Sequence, residues 1–103
     1  MNKDAVRQIA LRYADAVRKS FTPKYIILFG SHVNGVPDKD SDIDIAVVFE
    51  DFKGNWLEAS AELFELTYHI SVDIEPHMMD TTCDRSGFLE YVMKTGEVIY
   101  ETV

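Results

Sequence analysis

Two apolar runs separated by a short turn-rich segment constrain this chain more than any other feature. Lys24 to Phe29 (KYIILF) and Asp42 to Phe49 (DIDIAVVF) are rich in β-branched and aromatic residues, the composition of strands covered on both faces. Gly30 ends the first, and Ser31 to Ser41 carries Gly35, Pro37, Asp38 and Asp40, a turn composition too short for a helical crossover. The two strands are therefore expected to run antiparallel.

The remaining elements follow from periodicity. Val6, Ile9, Ala10, Tyr13 and Val17 fall at helical spacing, with Asn2 or Asp4 as N-cap and Pro23 closing the segment. Asn55 caps a second helix, with Glu58 three positions on and Trp56, Leu63, Phe64 and Thr67 marking its inner face. Ile70 to Glu75 (ISVDIE) alternates as a third strand that Pro76 is expected to stop. Strand, helix, strand makes a βαβ unit, so the second and third strands should be parallel. Phe88, Leu89, Val92 and Met93 predict a last helix with Gly96 as C-cap, followed by Val98 to Tyr100 as a terminal edge strand. The class is α/β (α+β), and 103 residues without repeat or linker suit a single domain over residues 1–103.

Charge excludes some functions. Eighteen acidic against 10 basic side chains give a net charge of -8, which opposes coating a phosphate backbone, so no direct sequence-specific nucleic-acid binding is expected. Lys3, Arg7, Arg12, Arg18, Lys19 and Lys24 all precede the first strand, and an anionic ligand is expected from that side. The lone Cys83 cannot form an internal disulfide, which fits a reducing cytoplasm. No apolar run approaches a membrane span, and Lys3, Asp4, Arg7 and Arg12 interrupt any signal-peptide core. The amphipathic, Arg-rich stretch from Val6 to Lys19 reads as a first helix rather than a transit peptide, given Asp4 and Asp15.

The chemistry concentrates in a few residues. Asp42 and Asp44 stand two apart in a strand, so both carboxylates leave one face while Ile43 and Ile45 enter the core. Asp73 in the third strand, with Val72 and Ile74 facing away, is expected to join them. Three converging carboxylates repel one another, and a hard divalent cation, Mg2+, relieves this. Gly30-Ser31 ends the neighbouring strand at the same corner. A glycine there lets backbone approach a phosphate, and a serine adds a hydroxyl and an N–H.

Gly30-Ser31, ten intervening residues, then Asp42-Ile43-Asp44, and Asp73 between apolar neighbours after a helix together resemble the DNA polymerase beta-like nucleotidyltransferase superfamily. The likeness is greatest to the minimal nucleotidyltransferases of prokaryotes, which pair with HEPN-domain proteins and act as antitoxins in the MntA/HepT type of module. It extends to Gly96-Glu97-Val98-Ile99-Tyr100-Glu101, similar to that family's closing strand. The resemblance implies a palm-like nucleotidyltransferase fold, a small mixed sheet with helices packed mainly on one face. It implies nucleotide binding by Gly30, Ser31, Asp42 and Asp44, and metal binding by Asp42, Asp44 and Asp73. Catalysis would rest on the same three aspartates, with Asp73 assisting the attacking hydroxyl. Two Mg2+ ions and ATP as substrate are expected, with transfer of AMP to a hydroxyl, a tyrosine of a cognate HEPN toxin in an assembly of the two proteins. Larger relatives carry a second domain for the acceptor, so here a protein acceptor is expected to bring its own surface.

One rival reading is a nucleotide-binding module that neutralises or scaffolds a partner without turnover. Its basis is the loop Gly30-Ser31-His32-Val33-Asn34-Gly35, where many relatives place arginines. An aspartate phosphoacceptor domain lacks the lysine and βα repeats it would need. His32 reads either as a phosphate contact or as a solvated loop residue. His69, His77 and Cys83 match no zinc-ligand spacing, and Cys83 reads as an idle thiol. Met78, Met79 and Trp56 read as packing residues.

Overall fold

The computed structural model describes residues 2–35 and 41–102. Helix α1 (Lys3–Ser20) starts where Asn2 accepts the Ala5 N–H at 2.8 Å, and strand β1 (Tyr25–Phe29) follows Pro23. A single turn of helix, α2 (Ser31–Asn34), leads from β1 toward β2 (Ile43–Phe49). That turn replaces the first part of the irregular segment expected over Ser31 to Ser41; its Pro37, Asp38 and Asp40 lie outside the described residues. Helix α3 (Trp56–Thr67) begins where Asn55 accepts the Glu58 N–H at 3.0 Å. Strand β3 (Ile74–Asp80), helix α4 (Phe88–Thr95) and strand β4 (Glu97–Glu101) complete the order.

The sheet runs β3-β2-β1-β4. β1 pairs antiparallel with both β2 and β4, and β2 pairs parallel with β3, as the short first connection and the βαβ unit require. On one face α1 and α3 bury Val6, Ala10, Tyr13, Val17 and Leu63 against Ile26, Leu28, Ile43, Ile45 and Val47. The Tyr13 hydroxyl ties the two helices by donating to the Leu63 carbonyl at 2.7 Å. On the other face α4 alone covers Ile27, Phe29, Ala46 and Val48 with Leu89 and Val92. Helices thus lie mainly, though not only, on one face.

Two expectations need correction here. The third strand starts at Ile74 and runs through Pro76 to Asp80 rather than stopping at Glu75. Pro76 is tolerated because β3 is an edge of the sheet, where a strand has only one neighbour to bond. The inner face of α3 is Ala59, Leu63 and Thr67, one stripe at four-residue spacing, while Trp56 and Phe64 are 40% and 46% exposed. Trp56 instead meets Phe52 edge-on at 5.9 Å. Among the early basic residues, Arg7 pairs with Glu97, Arg18 lies 4.1 Å over the Tyr100 ring and Lys24 is 3.4 Å from Glu50. Among the described residues, no helix is long and apolar enough to cross a membrane.

Candidate active site

Strand alternation sorts β2. Ile43, Ile45, Val47 and Phe49 enter the core beneath α1 and α3, while Ala46 and Val48 enter the core beneath α4. Asp44 shares the parity of the second set, as does Asp42 just before the strand, so both carboxylates belong to the α4 face. Asp44 is partly buried and Asp42 exposed.

The turn after β1 is shaped around Asp44. Gly30 has φ 87° and ψ -155°, a conformation essentially reserved for glycine. A Cβ there would overlap Asp44 Oδ2 and stand 3.2 Å from its Cγ. Gly30 and Asp44 are therefore in direct apposition, with Ser31 opening the next turn. His32 is neither a solvated residue nor free to meet a phosphate. It is buried, with Nε2 3.2 Å from the Ser41 carbonyl, and clips the two ends of the loop together.

The other Asp44 oxygen faces β3. In the parallel register Asp44 stands opposite Glu75 and Ala46 opposite His77. His77 Nε2 lies 3.1 Å from Asp44 Oδ1 and 4.0 Å from Glu75 Oε1. Glu75 in turn hydrogen-bonds Asp42, which raises the Glu75 carboxyl above its ordinary range; burial and the charges of Asp44 and Asp42 act the same way, and His77 opposes them. Like charges crowded to this degree call for a counter-ion. Asp44, Glu75 and His77 each offer a ligand atom, all within 4.8 Å of one another, so the residues present fit a divalent cation.

Asp73 sits differently from the sequence expectation. It precedes β3 in a turn and is exposed, with its N–H on Ser71 Oγ at 3.1 Å. Its carbonyl accepts the Ile43 N–H at 2.8 Å, which sets it at the level of Asp42, at the open end of the sheet. His77 lies beyond the stop that Pro76 suggests, whereas Glu75 lies inside the expected strand, two residues from Asp73 and on the same face. Period-two alternation through Asp73, Glu75 and His77 was the available signal.

The profile described as "Polymerase beta, Nucleotidyltransferase" matches residues 13–103. None of the curated proteins matches the chain significantly. Among solved structures, a "putative nucleotidyltransferase" from Sulfolobus solfataricus superposes with a TM-score of 0.69 at 21% identity, covering 96% of this chain and 83% of that one. A toxin-antitoxin structure with AMP-PNP gives 0.63 at 25% identity, covering 99% and 75%. A mutant of the toxin-antitoxin MntA-HpeT gives 0.60 at 23%, again covering 99% and 75%. With the profile spanning nearly the whole chain and the fold shared, this protein belongs to the polymerase beta nucleotidyltransferase family.

Proposed function

We propose that this nucleotidyltransferase moves AMP from Mg-ATP to a hydroxyl, a tyrosine of a cognate HEPN toxin, and thereby acts as its antitoxin. The observation that carries this reading is the double engagement of Asp44. One of its oxygens rests on the Gly30 turn and the other faces Glu75 and His77, so a single side chain links a phosphate-binding turn to a cation cluster. The likeness to toxin-antitoxin structures, one of them holding AMP-PNP, supports both the nucleotide and the partner.

In this mechanism Gly30 and Ser31 bind the triphosphate, Ser31 through its N–H and hydroxyl. Asp42 and Asp44, with Glu75 beside them, would hold a divalent cation, and the triphosphate of Mg-ATP would bring a second. Cations bound there neutralise the charge that develops on the transferring phosphoryl group. Asp73, exposed at the level of Asp42, completes the carboxylate set and takes the acceptor's proton. The tyrosine oxygen bonds to the α-phosphorus as the bond to pyrophosphate breaks. At a net charge of -8 the partner's contacting face is expected to be basic, and the association to weaken with salt. The reading assigns the protein to the cytoplasm, with which the free, exposed Cys83 is consistent.

The test is co-expression with the HEPN partner followed by incubation with Mg-ATP. Intact-mass spectra should show adenylate added to a partner tyrosine by the wild type and by neither Asp42→Asn nor Asp44→Asn. Asp73→Asn should keep Mg-ATP binding, read as thermal stabilisation, and lose transfer. An unmodified partner under conditions where Mg-ATP stabilises the wild type would refute transfer to that protein. It would favour the binding-module reading, to which the inward-turned His32 already lends weight.

A further inference from the structure

Building on the divalent-cation reading of the site, we propose that His77 is itself a metal ligand and that the protein-held ion is a first-row transition ion, Mn2+, in preference to Mg2+. His77 Nε2 stands 3.1 Å from Asp44 Oδ1 and 4.0 Å from Glu75 Oε1. An octahedral ion with bonds of ~2.1 Å spaces adjacent ligands by ~3.0 Å and opposite ones by ~4.2 Å. The two His77 distances are therefore near an adjacent and an opposite spacing, and all three ligand atoms lie within 4.8 Å of one another.

The imidazole is also held in place. Its ring meets Phe29 edge-on at 5.1 Å and Phe88 at 6.4 Å, so two aromatic walls limit its rotation. Ala46, opposite it in the register, is too small to obstruct a lean toward Asp44. Asp44 is fixed as well: with Oδ2 seated on Gly30, Oδ1 is the oxygen left for the cluster. A metal entering here would take the place of the Asp44–His77 hydrogen bond.

Ligand chemistry sets the preference. Mg2+ favours an all-oxygen octahedron and sheds water reluctantly, whereas imidazole nitrogen suits the later first-row ions. Mn2+ accepts carboxylates as readily as Mg2+ does and tolerates the nitrogen, so it matches two carboxylates and one imidazole.

Mn2+ titrated into the 103-residue chain without nucleotide, whose own nitrogens would contribute, is followed by continuous-wave EPR for binding and pulsed EPR for nitrogen coupling. The wild type should bind Mn2+ with 14N modulation that converts to 15N when histidine is 15N-labelled, a readout that needs no variant. His77→Gln should lose the modulation and weaken Mn2+ by about tenfold or more, while Mg2+ affinity, measured by competition, changes little. Bound Mn2+ without nitrogen modulation would overturn the role of His77 and leave the cation site standing. Failure of the wild type to bind either Mn2+ or Mg2+ would overturn both.

Discussion

Replacing Gly30 by alanine tests the apposition on which the site is built. The backbone at φ 87° and ψ -155° costs an L-residue about 1–3 kcal/mol. The new methyl would also overlap Asp44 Oδ2 and lie 3.2 Å from Cγ, so the carboxylate must turn away at a cost of about 1 kcal/mol. The expected loss is roughly 2–4 kcal/mol, a fall of about 10–25 °C in Tm for a domain of this size. Thermal unfolding by circular dichroism is measured for wild type, Gly30→Ala, Asp44→Ala and the double variant. With Asp44 shortened to alanine, only its Cβ remains near, at an ordinary 3.4 Å. The backbone part of the cost should persist and the overlap part vanish, giving a coupling of about 1 kcal/mol. A near-neutral Gly30→Ala would refute the strained turn. An equal cost in both backgrounds would refute the contact with Asp44.

Gly96→Ala should destabilise by about 1–3 kcal/mol despite an ordinary φ of -86°. Its Cβ would stand 2.6 Å from Ile27 Cγ2 and 2.8 and 3.0 Å from the Val92 and Leu28 carbonyls, and a urea midpoint equal to wild type would remove that steric account. Tyr13→Phe should cost about 0.5–1.5 kcal/mol in urea denaturation by removing the hydroxyl that donates to the Leu63 carbonyl. Because burial pushes the Tyr13 hydroxyl pKa upward, its contribution is present below the unfolded value of ~10 and lost as pH rises beyond it; spectrophotometric titration should find one tyrosine ionising only as the protein unfolds. At Asp80 burial acts upward but is outweighed by hydrogen bonds from the Phe52 N–H, the Thr82 hydroxyl and N–H, and the Asp51 N–H, which hold the carboxyl well below its usual range. Its stabilisation is present above ~pH 4 and lost as pH falls through the lower folded value, so Asp80→Asn should be less stable at neutral pH and lose less than wild type on acidification.

Much of the framework is legible because it depends on local chemistry. Asn2 and Asn55 are readable as caps since their side chains satisfy N–H groups three residues on, at Ala5 and Glu58. The antiparallel return of β2 follows from the length of its connection alone. Gly30, Asp42 and Asp44 are readable as neighbours because a strand end, a short connection and a period-two pair leave few alternatives. Helix α3 is read less well, because sequence gives the period of an apolar stripe more surely than its width: Leu63 and Thr67 are buried, but Phe64, one position round the helix, is not. His32 could not be read at all, since its burial depends on where the far end of the loop, at Ser41, returns.

The third strand fails for a different reason, and that reason bears on the site. Pro76 means a break in a central strand and is harmless at an edge, so its reading requires the strand order, which is not a local property. Once the edge is known, alternation continues through Pro76 and adds His77, opposite Ala46, to Glu75, which stands opposite Asp44. The open position of this cluster has its own cause. The eight residues of α4 extend ~12 Å, whereas the seven of β2 extend ~23 Å. The helix therefore covers Ala46 and Val48 and stops at Phe88, whose ring lies against Phe29 and His77. Beyond that ring the same sheet face has no lid from α4. There Asp42, Asp44 and Glu75 keep their carboxylates near water, which is what holding charge at the end of a covered sheet requires.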